Sequence, residues 1–112
     1  GARFESRRAA NLRSDLELRI EAEIKASQSE LMTAENEIAL ARKRLELAEK
    51  GLEIADARYK EGFLNISDLL DSELERAEAE IGLNLSLYRL ALARLNLKSK
   101  LGYYPEFENQ GD

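Results

Sequence analysis

Asp68, Asp71, Glu75 and Glu78 follow one another by steps of three, four and three, which lines their carboxylates along one stripe of a helix. Glu73 and Glu80 widen the negative field, and Arg76 is the one cation among them. The stripe has two readings. Its first residues suit the positive end of a helix dipole and the rest form a solvated face, or the whole is a negative surface that attracts cations or a basic partner. Paired carboxylates also serve as general acid and base, but a lone helical hairpin offers no enclosed pocket to shift their pKa values, so no enzyme activity is expected. The acids lack the calcium-loop spacing in which Gly follows three alternating oxygen ligands, and no Gly-rich phosphate loop is present.

The rest of the composition removes further chemistry. The chain has 112 residues, 35% charged and 44% hydrophobic, with no Cys, His or Trp and one Pro. That excludes a disulfide framework, a zinc finger, haem ligation, a Ser-His-Asp triad and a Cys nucleophile; no cofactor is expected, and a metal would have only carboxylates and carbonyls to bind. The 17 Lys and Arg against 22 Asp and Glu give a net charge of −5, which argues against a nucleic-acid partner. No stretch approaches the roughly 18 apolar residues of a membrane-spanning helix, and the basic start, Gly1 to Arg8, lacks the apolar run of a signal peptide.

The elements that must carry the acidic stripe are helices. From Ala9 to Glu61 there is no Pro and a single Gly, Gly51, among strong helix formers, which predicts a long first helix over 9–61. Leu31, Ala34, Ile38, Ala41, Leu45, Ala48, Leu52, Ala55, Tyr59 and Gly62 recur in alternating steps of three and four, the pattern of a coiled-coil seam. Alanine at one seam position allows close backbone approach. Leu40, Leu47 and Ile54 form a second apolar row more than a quarter-turn away, so this helix needs at least two neighbours.

Gly62 is suited to a left-handed C-cap, 62–65 makes a tip loop, and Asn65 is the N-cap of a second helix over 66–101, with Asp68 reaching back as in a capping box. The second helix repeats the seam spacing at Leu70, Leu74, Ala77, Ile81, Asn84, Tyr88, Ala91 and Leu95. Tyr59 and Tyr88 are expected to fill large seam positions. The predicted fold is all-α, a single unit forming a long antiparallel two-helix coiled-coil hairpin with a short tip loop and a polar tail over 102–112. Helices of roughly 80 and 50 Å leave the start of the first without an in-chain partner. Phe63 and Leu64 are apolar in the loop, either as a contact surface for a partner or packed beneath the turn.

The run Ala57-Arg58-Tyr59-Lys60-Glu61-Gly62-Phe63-Leu64-Asn65-Ile66-Ser67-Asp68-Leu69-Leu70-Asp71 resembles the tip signature of the TolC-type outer-membrane efflux proteins: a Tyr, a Gly three residues on, then Ile/Val-x-Asp-Leu/Val-Leu-Asp. Ala48 to Ala55 resembles the approach to that tip, Leu95 to Gly102 the end of the returning helix, and Phe4 to Leu12 the exit from the membrane barrel. The resemblance implies the periplasmic helical hairpin of the C-terminal repeat, a piece of a trimeric duct in a Gram-negative outer membrane. It implies that Gly62, Phe63, Leu64, Asn65 and Ser67 dock a periplasmic adaptor and, through it, an inner-membrane transporter. By the same resemblance, Tyr59, Asp68 and Asp71 belong to the tunnel entrance, the two acids to a cation-selective ring. Some family members carry a latching Arg where this chain has Leu64, a role Arg58 or Lys60 would have to take over. The alternative is a structural or interaction coiled-coil hairpin such as that of the adaptor itself, whose tip pattern is rich in Arg and Leu.

Overall fold

The computed structural model describes residues 2–102. It is all-α: helix α1 spans Ala2–Lys60, helix α2 spans Ile66–Leu101, and 61–65 turns the chain between them into a two-helix hairpin. The tail expected over 102–112 lies outside the described residues from 103 onward. Helix α1 starts earlier than the expected residue 9. Residues 2–8 contain neither Pro nor Gly, arginine is a good helix former, and Glu5 complements the positive helix end, so nothing there stops the helix.

The chain divides into two compact units. The unit Thr33–Ala91 contains the turn. On its α1 segment Ala34, Ile38, Ala41 and Ala55 are buried, and Leu45, Ala48 and Leu52 half-buried, which is the seam the spacing predicts. On its α2 segment the buried residues are Leu69, Ser86 and Leu90, with Ser72, Arg76, Ala79 and Leu83 half-buried. These pairings are symmetric about Gly62: Ala55 and Leu69, Ile38 and Ser86, and Ala34 and Leu90 are each equidistant from it in sequence.

This register overturns the α2 seam expected from spacing. Leu70, Leu74, Ile81, Asn84, Tyr88, Ala91 and Leu95 are exposed and Ala77 is half-buried, so Tyr88 fills no seam position, and Tyr59 in the last turn of α1 is exposed as well. The cause is that α2 carries two stripes of identical spacing. A short turn admits only one of them toward α1, and the stripe with Ser72, Ala79 and Ser86 lets the backbone come close to the alanines of α1. Ser86 satisfies its hydroxyl by donating to the Gly82 carbonyl at 3.0 Å, so it enters the seam without an unpaired polar group.

The second unit takes α1 as far as Met32 and α2 from Leu92 onward. Here Ile24 and Ser27 are each only 1% exposed, and Ala93, Leu97 and Lys100 are half-buried. Asn96 donates to the Ser27 hydroxyl at 3.5 Å, the outer edge of hydrogen-bonding range. Residues 3–19 of α1 are exposed throughout, including Phe4, Leu12, Leu16 and Leu18.

Candidate functional site at the hairpin tip

The tip is built by two helix caps placed back to back. At the end of α1 the Gly62 amide donates to the Tyr59 carbonyl at 3.0 Å and the Phe63 amide to the Arg58 carbonyl at 2.8 Å. That is the Schellman arrangement, and it requires a left-handed residue at its centre; Gly62 has φ of 84°. At the start of α2 the Asp68 amide donates to Asn65 Oδ1 at 2.9 Å, so Asn65 is the N-cap. The reciprocal arm of a capping box, donated by the Asn65 amide to the Asp68 carboxylate, is not among the hydrogen bonds of the described residues. Asp68 keeps its place in the first turn, where the helix dipole favours a negative charge.

These caps present the tip side chains unequally. Phe63 is 78% exposed, whereas Leu64 is half-buried. The two loop residues, alike in type, thus differ in exposure. Ile66 and Leu70 on the first turns of α2 are exposed as well. Asn65, Ser67, Asp68 and Asp71 are exposed, as is Tyr59 on the α1 side.

Charge around the tip is mostly unpaired. Lys60 binds Asp56 at 2.9 Å within α1, while Arg58, Asp68 and Asp71 belong to none of the ion pairs of the described residues. Farther from the tip, Glu49, Leu52, Glu53 and Asp56 of α1 and Glu73 and Arg76 of α2 line a shallow groove. Arg76 holds Glu80 at 3.4 Å. Spacing alone hides its position: in sequence Arg76 reads as the odd cation of an acidic stripe, and in the hairpin it occupies a seam position facing α1. Among the described residues no group of three or more acids is placed to hold a metal ion, so the stripe Asp68, Asp71, Glu75, Glu78 is an extended field and not a ligand cage.

Glu46, on α1, has its carboxyl held below the usual carboxylate range, first by the hydrogen bond from Lys50 and then by the charge of Lys43. No helix among the described residues is long and apolar enough to cross a membrane. Comparison with protein-family models, with curated proteins and with solved structures finds no match to this chain.

Proposed function

We propose that this hairpin is a tunnel segment of a TolC-type outer-membrane duct, its tip forming the periplasmic entrance and docking a periplasmic adaptor. The observation that carries the reading is the exposed Phe63 at the apex of a tightly capped turn. Exposing a large aromatic side chain at a rigid tip costs solubility with no gain to the fold, so a contact made by another molecule explains it best. The likeness of Tyr59 to Asp71 to the family's tip signature supplies the identity of that partner. Asp68 and Asp71, exposed and outside any ion pair of the described residues, are free to contribute their charge to a conduction path. The role is one of binding and passage, without catalysis.

The test is made in the outer-membrane protein that carries this segment. Phe63→Glu abolishes adaptor capture and export, and Asp68→Asn with Asp71→Asn lowers the cation preference of the channel in planar bilayers. Retained export with Phe63→Glu and Leu64→Glu together rejects docking, and an unchanged reversal potential rejects the acidic ring.

A further inference from the structure

Burial along α1 begins where α2 stops. Ile24 is 1% exposed and Ile20 half-buried, whereas every residue from Arg3 to Arg19 is exposed. The end of α2 reaches that boundary: counted antiparallel from the Asn96–Ser27 contact, Gly102 lies level with Glu21. Beyond it the pattern on α1 changes as well. Steps of four and three back from Ile24 reach Ile20, Glu17, Arg13 and Ala10, which is no seam for another helix. The apolar residues run instead in steps of four through Ile20, Leu16 and Leu12 to Phe4, with Arg8 in the same row. Such a row drifts roughly 40° around the helix at each step, which a straight partner helix cannot follow and an extended chain can.

We propose that residues 103–112 lie extended along this row, antiparallel to α1, and so carry on the path of α2 over the open start of the first helix. Reach argues for it first. Ten extended residues at about 3.3 Å each span about 33 Å, and α1 from Arg3 to Glu21 is about 27 Å long. The junction suits the change of form. The Gly102 amide donates to the Lys98 carbonyl at 3.1 Å and closes α2, while Pro105 cannot continue a helix and biases the residue before it toward extended backbone. The row itself leads out of the hairpin, since Ile20 joins it to the buried Ile24.

Chemistry argues for it independently. The segment holds three aromatics, Tyr103, Tyr104 and Phe107, and three acids, Glu106, Glu108 and Asp112, with no Lys or Arg. At about two residues of α1 for each extended residue, Tyr104 falls level with Leu16 and Leu18, Glu106 with Arg13, Phe107 with Leu12 and Glu108 with Arg8, to within about half a helical turn. Tyr104 and Phe107 thus meet leucine, and Glu106 and Glu108 meet arginine. Both sides have something to gain: Leu12 is 63% exposed, and Arg8 and Arg13 take part in none of the ion pairs of the described residues. Nothing here uses the duct reading, because the open end of the hairpin closes in this way whether or not the tip docks an adaptor.

The absence of Cys makes the contact directly readable. In the full chain, Leu12→Cys with Phe107→Cys should close to a monomeric disulfide under mild oxidation at about micromolar concentration. It should do so roughly tenfold faster than Ala10→Cys with Phe107→Cys, because Ala10 stands at nearly the same height on the opposite side of α1. Reversing the acids with Glu106→Lys and Glu108→Lys should slow closure roughly tenfold, and adding Arg8→Glu and Arg13→Glu should restore it. In the chain without cysteines, Tyr104→Ser with Phe107→Ser should speed amide exchange over 8–18 severalfold. Equal closure from positions 10 and 12 overturns the proposal, since a segment that merely reaches α1 finds both sides alike. Disulfide dimers in place of the closed monomer overturn it as well and give the row to another molecule, and so does exchange that the two serines leave unmoved.

Discussion

Ala55 and Leu69 lie at equal sequence distances on either side of Gly62, and both are buried, so together they set the register of the hairpin where it leaves the turn. One residue outward on each side, Ile54 and Leu70 are exposed. Two adjacent leucines are thus assigned opposite roles. Leu69→Ala removes buried methyl groups and should destabilise the hairpin by about 2 kcal/mol, whereas Leu70→Ala should change the stability of the monomer by less than about 0.5 kcal/mol. Urea unfolding followed by circular dichroism at low protein concentration separates them; equal losses would mean that the register is wrong.

The turn makes a second pair of opposite expectations. Gly62 sits at φ of 84°, so an alanine there is strained although no atom stands within 4 Å of the added carbon, and Gly62→Ala should cost about 1 kcal/mol. Gly51 lies inside α1 with equally open space around it, and there the helix propensity of alanine acts alone. Gly51→Ala should stabilise by about 0.5–1 kcal/mol. Thermal melts of the two variants should move in opposite directions.

What was legible in the sequence follows from which signals are local. The caps at Gly62 and Asn65 and the α1 seam from Ala34 to Ala55 depend on neighbours within a turn or two, and the structure has them where the residues place them. The α2 seam was not legible. Leu69, Ser72, Arg76 and Leu70, Leu74, Ala77 obey the same spacing, and the second set is the more apolar, so periodicity favours the stripe that in fact faces outward. Only closure of the turn decides between them, and that is a property of two helices together. At the tip, residue type alone describes Phe63 and Leu64 alike; only the folded turn separates them, Phe63 exposed and Leu64 half-buried.

Glu46 gives the fold a small, readable pH dependence. Its carboxyl is held below the ordinary range by the Lys50 hydrogen bond and the Lys43 charge, so its contribution to stability is present above the unfolded-state pKa and is lost as pH falls through the lower folded-state value. Its exposure to solvent keeps that contribution small and sensitive to salt. Lys50→Met should raise the Glu46 titration midpoint, as followed by the side-chain carboxyl signal in NMR, and molar salt should bring the parent chain toward the variant. A midpoint unmoved by Lys50→Met would show that the ion pair is not formed in solution.

Phe63 and Leu64 differ in what they owe the fold, and this decides which of them tests the proposed docking. Phe63 is 78% exposed, so replacing it by glutamate removes apolar surface from water and should leave hairpin stability within about 0.5 kcal/mol. Leu64 is half-buried, and Leu64→Glu puts a charge where apolar surface is partly removed from water, at a cost of about 1 kcal/mol or more. A partner lost on Phe63→Glu with an unchanged melting curve is lost through the contact itself, whereas the same loss on Leu64→Glu mixes contact with turn geometry. Paired melting and adaptor-capture measurements on both variants check this division. A Phe63→Glu variant that melts as early as Leu64→Glu would mean that the aromatic ring packs on the turn in solution and is not held out for a partner.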